Sequence, residues 1–324
     1  MNALALIEAG KQKETHQALL EELGDAYNLL RNFEQAITAY HNAIRIWETL
    51  PDKDAITGVR LNRKIIQLVT EAKWNTSLDS YQLMRETASE SLEQLEGNLE
   101  AAQDQTHVEI VRAYATLSFE AWRNQNPPNW ERAQHYAQLA VDMGERLEDP
   151  VVLSCALGAL ANVFDGRSLL RDHLEVALKR LEVSADADMN HPLERIDAIS
   201  AAGMALMYVG EYEQAINHLQ EAESLAAKSQ SIGQQTTALV LQEQCLFRLD
   251  RWDDALITET KWRELENKYP RERIGPTCFS VALSGSIHAL RGNIDKAKAY
   301  AEESFNYMVL SGGMPEQWQR NQHY

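Results

Sequence analysis

Few side chains in this chain stand at spacings that support catalysis. The sequence contains no His-Glu-x-x-His pair, no glycine-rich phosphate-binding loop, no Gly-x-Ser-x-Gly nucleophile turn and no Cys-x-x-Cys pair. Those patterns position metal ligands, phosphates and nucleophiles in enzymes. The nine histidines are scattered along the chain, and we interpret each as structural. The sequence therefore predicts a protein that is not an enzyme, with no catalytic residue and no cofactor.

One acidic segment has the opening of a calcium-binding loop, Asp186-x-Asp188-x-Asn190. A calcium loop of that type needs glycine at its sixth position and a bidentate glutamate at its twelfth. Here His191 and Asp197 occupy those two positions. We interpret the segment as an ordinary acidic connection, and we predict no metal site.

The charge balance narrows the choice of partners. The 324 residues include 31 Lys and Arg against 48 Asp and Glu, which gives a net charge of −17. Nucleic acids and anionic membranes both reward basic surfaces, so neither is predicted as a partner. Because the acidic excess is spread along helical patterns, we interpret it as a solvated outer surface.

No targeting or membrane segment is recognisable. The apolar runs are short and interrupted by charges, so none can span a bilayer. The first residues, MNALALIEAGKQKE, lack the basic region and the long apolar stretch of a secretory leader. The three cysteines, Cys155, Cys245 and Cys278, match no metal-binding spacing. We predict a cytoplasmic protein whose cysteines are small core residues in a reducing compartment.

Two helical patterns separated by a break occupy residues 196–229. Apolar or small residues recur at the three-to-four spacing of one helix face, at Ile199, Gly203 and Leu206, and then at Ile216, Leu219 and Ala222. Gly210 marks the turn between the two patterns. The segment therefore predicts a helical hairpin.

These residues resemble the tetratricopeptide repeat, a 34-residue helix pair with small residues at its positions 8, 20 and 27. With Ile196 as position 1, Gly203, Ala215 and Ala222 fall on those positions. With Gln17 as position 1, Gly24, Ala36 and Ala43 do the same. The resemblance implies an all-α fold, a right-handed α-solenoid of stacked antiparallel helix pairs.

Extended along the chain, the resemblance gives one solenoid over residues 1–324. It has seven repeats at 17–51, 55–97, 106–149, 151–184, 196–229, 236–269 and 278–311, and the start of a truncated eighth at 314–324. Met1–Gly10 is predicted to be the tail of a separate helix. Two residues depart from the motif in the sixth repeat, since Glu243 and Trp262 stand where small residues are usual. The spacing of Ala215, Ala255 and Ala297, 40 and 42 residues, is similar to the long-period repeats of bacterial multidomain ATPases, cyclases and transcription regulators.

In this family, motif positions 2, 5, 9, 12 and 13 of the first helix face the groove. Carried over to this sequence, the resemblance predicts a partner-binding groove that includes Arg112, Phe119, Trp122, Arg123, Met204, Met207, Tyr208, Gln244, Phe247 and Arg248. It also places Asp197, Ser200, Thr237, Val240, Arg60 and Arg63 at groove-facing positions. Aromatics, methionine and arginine are enriched at binding hot spots, and the arginines would meet acidic groups of a ligand. The alternative is that these side chains are buried between repeats.

Two functions fit this pattern. The first is a non-catalytic scaffold that binds a peptide, a helix or a partner domain in its groove. The second is a sensor segment, a fragment of a larger ATPase- or cyclase-type regulator, that binds an effector or its own catalytic domain. We also expect self-association through an uncapped C-terminal end, where Phe305, Tyr307, Met308 and Trp318 would be exposed.

Overall fold

The computed structural model describes residues 3–72, 78–102, 104–125, 127–185, 191–269 and 277–310. Several sequence predictions therefore lie outside the described residues: the acidic segment 186–190, Trp318 and the truncated repeat 314–324. The side chains of Tyr307 and Met308 are also outside the described part.

The described chain is built from fourteen α-helices and one π-helical turn, and no strand occurs within the described ranges. The helices are α1 (Ala3–Leu29), α2 (Phe33–Glu48), α3 (Ala55–Ala72), α4 (Leu78–Ala101), α5 (Val108–Phe119), α6 (Trp130–Leu147), α7 (Pro150–Gly166), α8 (Leu170–Val183), α9 (Pro192–Tyr208), α10 (Tyr212–Lys228), α11 (Ile232–Arg248), α12 (Trp252–Lys268), α13 (Thr277–Leu290) and α14 (Ile294–Leu310). The π-helical turn, Glu120–Asn124, continues α5. None of the described helices is long and apolar enough to cross a bilayer.

The helices form seven sequential pairs, from α1 with α2 to α13 with α14, and this confirms the predicted all-α fold of tetratricopeptide-like helix pairs. The prediction for the first ten residues is wrong, because α1 runs without a break from Ala3 to Leu29. The helix contains two glycines, Gly10 and Gly24, and continues through both. A single glycine costs about 1 kcal/mol relative to alanine, which does not interrupt a helix of this length.

The two helices of a pair lie so close together that the residue at motif position 8 must be small. A Cβ built on Gly203 of α9 would lie only 2.8 Å from Cγ of Leu219 on α10. A Cβ on Gly24 of α1 would likewise overlap the ring of Tyr40 on α2. Leu219 and Tyr40 share motif position 24, so the same register holds in both pairs. Between α9 and α10, Gly210 takes a positive φ of 89°, as the turn signal predicts.

The helices group into two compact units, residues 1–152 and 153–324. In the first unit, α2, α3 and α4 enclose a core centred on Tyr40, Leu61 and Ile65. In the second unit, one apolar cluster joins α9, α10, α11, α12 and α13 around Leu206, Leu219 and Ile287. We define the residues of that cluster as the second-unit core.

Candidate functional site

The strongest candidate surface lies on two successive first helices of the second unit. Met204 and Tyr208 on α9, and Phe247 on α11, are half-buried and pack at the edge of the second-unit core. Gln244 and Arg248 accompany Phe247 on α11, one half-buried and the other exposed. We call these five residues the α9–α11 face.

Two polar members of this face are unpaired among the residues that the structure describes. Within the described residues, neither the Gln244 amide nor the Arg248 guanidinium makes a hydrogen bond or an ion pair. An exposed guanidinium without a counter-charge is available to a carboxylate, which it can bind through two parallel hydrogen bonds. The face therefore combines an apolar contact area with an unused cation.

Tyr208 has the most unusual electrostatic setting on this face. Burial, and in addition the nearby Asp165 carboxylate, raise the pKa of the Tyr208 phenol above its usual value. Its ring lies 6.0 Å from the ring of His173 on α8, and burial lowers the pKa of that imidazole to about 4. At neutral pH the phenol is therefore protonated and can donate a hydrogen bond, while His173 is uncharged.

Other predicted groove residues of the second unit are not on its surface. Met207, Ser200 and Val240 are buried, Met207 to 7% exposure, so the expectation that they line a groove is corrected by the structure. Met207 lies three residues after Met204 on α9 and points into the second-unit core. Asp197 is exposed, but its carboxylate accepts a hydrogen bond from Arg180 at 2.6 Å.

In the first unit, the predicted arginines meet acidic groups of the chain itself. Arg112 and the buried Arg63 both bind Glu109, each at 2.8 Å, and Arg60 binds Glu21 at 2.8 Å. Burial alone would raise the pKa of Glu109, but Arg63 and Arg112 outweigh it and hold that pKa below its usual value. These arginines are already neutralised, which corrects the expectation that they await a ligand.

The predicted aromatics of the first unit form a half-buried stack. The rings of Phe119 and Trp122 lie 5.8 Å apart, and Trp122 stacks on Trp130 of α6 at 5.9 Å. Trp122 and Arg123 belong to the π-helical turn, an element that is frequent at functional sites. Trp130 was not predicted from the sequence as the partner of Trp122. Pro127 and Pro128 predict a break in the helix just before Trp130. That break is the sequence feature that could have indicated this packing.

The π-helical turn is held by a buried polar network around Asn124. The Tyr81 hydroxyl of α4 donates to Asn124 Oδ1 at 3.0 Å. Asn124 Nδ2 donates to Thr70 Oγ1 of α3 at 3.1 Å. These bonds fix the end of the first helix of this pair, and they position Trp122 against Trp130.

The two motif departures in the sixth repeat contact each other. The Trp262 indole of α12 donates to the Glu243 carboxyl of α11 at 2.8 Å, and Ser284 of α13 donates to the same carboxyl at 3.0 Å. Glu243 and Trp262 are both fully buried. Burial raises the pKa of Glu243 to about 8, so the carboxyl is protonated at neutral pH. This cluster is part of the core and presents nothing to a ligand.

Within the described part of the chain, no group of three or more His, Cys, Asp or Glu residues is arranged to hold a metal ion. Cys155 is exposed and its thiol lies 3.3 Å from Glu194, so the prediction that it is a core residue is wrong. Cys155 stands at groove-facing position 5 of its repeat, whereas Cys245 stands at position 10 and is buried.

No protein-family model matches the chain, and no curated protein matches it in sequence. Its fold, however, matches solved structures of tetratricopeptide-repeat proteins. A Rap protein complexed with Competence and Sporulation Factor matches with a TM-score of 0.65 and 14% identity, over 94% of this chain and 78% of that one. Aspartyl phosphate phosphatase F from Bacillus subtilis matches with a TM-score of 0.54 and 15% identity, over 91% and 76% of the two chains.

A third match is a signal transduction ATPase with a tetratricopeptide repeat sensor, from Pyrococcus horikoshii. Its TM-score is 0.61 at 12% identity, and the match covers 90% of this chain. The chain spans only 43% of that ATPase's length. At identities this low, the three matches show a shared fold.

Proposed function

We propose that this protein is a non-catalytic scaffold that binds a peptide, a helix or a partner domain. The observation that carries the proposal is the α9–α11 face, where three half-buried side chains at the edge of the second-unit core share two helices with a guanidinium that is unpaired among the described residues. Helix-pair repeats of this fold typically serve protein–protein interaction, and they present such faces to their ligands.

The chemistry of the face defines the partner. Met204, Tyr208 and Phe247 supply the residue types that dominate binding hot spots, and the protonated Tyr208 phenol adds a donor. Arg248 adds a positive charge for an aspartate, a glutamate or a terminal carboxylate of the ligand. A segment with an apolar anchor next to an acidic group fits this surface.

Phe119, Trp122 and Arg123 are kept in the proposal as a separate contact surface of the first unit. Arg112 is less suited to this role, because its guanidinium is already bound to Glu109. The proposal includes a cytoplasmic location. It includes no nucleic-acid or membrane partner, since a net charge of −17 disfavours binding to anionic surfaces.

A peptide-display selection against the full chain tests the proposal. We expect the selected peptides to share an apolar residue near an acidic one, and Arg248→Glu to weaken their binding about tenfold or more, since a charge-assisted hydrogen bond is worth roughly 1.5–3 kcal/mol. Fluorescence anisotropy measures the dissociation constant. Arg45→Glu, on an exposed arginine of α2, is the matched control and should leave binding unchanged. Equal loss in both variants, or none in either, would contradict the proposal.

A second candidate function is a sensor segment of a larger ATPase-type regulator. The observation that favours it is the match to the repeat-bearing ATPase, of whose length this chain spans 43%. Co-purification with an ATPase encoded next to this gene, together with a change in the ATPase rate on adding this chain, would support this candidate. An unchanged rate would leave the scaffold as the better description.

A further inference from the structure

Three polar side chains of the second unit lie close together where α7 ends, α8 begins and α9 ends. They are Asp165 in the last turn of α7, His173 in the first turn of α8 and Tyr208 at the end of α9. The rings of His173 and Tyr208 lie 6.0 Å apart, and the Asp165 carboxylate acts electrostatically on the Tyr208 phenol. We call these three residues the α7–α9 polar cluster.

Two atoms of this cluster are buried and have no hydrogen-bond partner within the described ranges. They are Asp165 Oδ1 and His173 Nδ1, and His173 is only 1% exposed. Most buried polar atoms of folded proteins are paired, because an unpaired one loses its hydration without compensation. Asp165 and Tyr208 are half-buried residues, so a ligand can reach the cluster from the surface. The cluster therefore has unused hydrogen-bonding capacity at the edge of the second unit.

The cluster also carries a charge that the described part of the chain does not balance. Burial raises the pKa of the Asp165 carboxyl to about 6, so this group is still mostly ionised at neutral pH. None of the described residues forms an ion pair with it. Buried charges in proteins are paired or coordinate a metal, and Asp165 belongs to no described group of three or more His, Cys, Asp or Glu residues suited to a metal ion. An organic cation is therefore the group that fits Asp165.

The acceptors of the cluster favour an ammonium group over a guanidinium. An ammonium carries three donors and no acceptor. The Asp165 carboxylate, the acceptor nitrogen of the uncharged His173 ring and the Tyr208 hydroxyl oxygen supply acceptors from three different helices. A guanidinium instead fits best where both oxygens of one carboxylate accept parallel hydrogen bonds.

Tyr208 belongs both to this cluster and to the α9–α11 face, so the inference rests on the proposed function. We propose that the α7–α9 polar cluster binds a primary ammonium group, a lysine side chain or an amino terminus, of the partner that docks on the α9–α11 face. The partner would then carry two charges: an acidic group for Arg248 and an ammonium group for Asp165.

Titration of the full chain with n-butylammonium chloride at constant ionic strength tests the site itself. We expect shifts in the NMR signals of the His173 and Tyr208 rings. Asp165→Asn should weaken this binding about tenfold or more, since the hydrogen bonds lost are assisted by charge. Asp172→Asn, which changes an exposed carboxylate on α8, is the matched control and should bind like the unmodified chain. N-butylacetamide has the same alkyl chain without the charge and should not bind.

The melting temperature separates a binding role of Asp165 from a structural one. Asp165→Asn removes a buried charge that lacks a counter-charge, so it should raise the melting temperature of the free chain at neutral pH. A lower melting temperature with unchanged butylammonium binding would show that the carboxyl is structural, and would overturn the inference.

Peptides selected against the full chain identify the source of the ammonium group. Acetylating either the lysines or the amino terminus should weaken binding to the unmodified chain about tenfold, and the same acetylation should have no effect on binding to Asp165→Asn. Peptides that bind through Arg248 even when every amine is acetylated would overturn this inference and leave the proposed function standing. Butylammonium binding at Asp165 with no peptide selected would contradict the proposed function and support the cluster as an ammonium site.

Discussion

At the scale of single residues, the buried Glu243 carboxyl gives the molecule a distinctive pH response. Its pKa is about 8 in the folded chain because burial disfavours the charged form, against a usual value near 4.3 in an unfolded chain. Between those two values the unfolded state binds fewer protons than the folded state, so the stability falls as the pH rises. The loss of stability is complete above the pKa of the folded state, and it is absent below the pKa of the unfolded state.

Glu243→Gln should remove this dependence. Glutamine is neutral, and its side-chain oxygen can still accept the hydrogen bond from Trp262. We expect the variant to gain stability over the unmodified chain as the pH rises from about 4.5 to about 8, at up to about 1.4 kcal/mol per pH unit. Urea unfolding of both proteins at several pH values measures the difference. A difference that stays constant with pH would show that Glu243 is already ionised in the folded chain.

At the scale of elements, the close approach of α9 and α10 depends on Gly203. An added methyl group would lie 2.8 Å from Leu219 Cγ and 3.3 Å from the Ala215 carbonyl oxygen. The carbonyl is backbone and cannot move away by changing a rotamer. The α9–α10 pair therefore requires a small residue at position 203, whatever residues form the turn between the two helices.

Gly203→Ala should lower the free energy of unfolding by about 1–3 kcal/mol, as overpacking a close contact does. Gly97→Ala is the matched control, because Gly97 also lies inside a helix, is exposed, and has nothing within 4 Å of an added Cβ. There the better helix propensity of alanine should raise the stability by up to about 1 kcal/mol. Thermal or urea unfolding measures both; shifts of the same sign would contradict this account.

At the scale of the whole molecule, stability in stacked helix pairs is close to a sum of local and nearest-neighbour contributions. The two units have separate cores, and each has its own buried polar cluster. The Arg63–Glu109 pair joins α3 to α5 in the first unit. The Glu243–Trp262 pair joins α11 to α12 in the second. Damage to one cluster should therefore remain within its own unit.

Glu109→Gln leaves the Arg63 guanidinium buried without its counter-charge, and this should cost about 3–5 kcal/mol. Because Arg63 and Arg112 depress the pKa of Glu109, the lost stability is present above its usual pKa and disappears as the pH falls through the lower folded value. We expect faster amide hydrogen exchange in α1–α6 and unchanged exchange in α9–α14. Glu93→Gln, an exposed site on α4, is the control. Faster exchange in both units would contradict the local model.

Much of the fold follows from local sequence. The three-to-four spacing of apolar residues and the small residues at Gly24, Gly203 and Ala215 predicted the helix pairs correctly, because helix periodicity and close approach are properties of a few neighbouring side chains. The turn at Gly210 was likewise predicted correctly from the local sequence. Within the described ranges, the first ten residues were assigned wrongly, since a lone glycine is too weak a signal to end a helix.

The candidate surface depended on tertiary structure. Met204 and Met207 share a helix and a residue type, yet Met204 is half-buried at the edge of the second-unit core and Met207 is buried within it. Arg63 meets Glu109 from 46 residues away, and no local pattern announces such a partner. The sequence by itself determined the helices and their pairing. The packing of successive pairs decided which side chains are neutralised, which are buried and which, like Arg248, remain exposed and unpaired among the described residues.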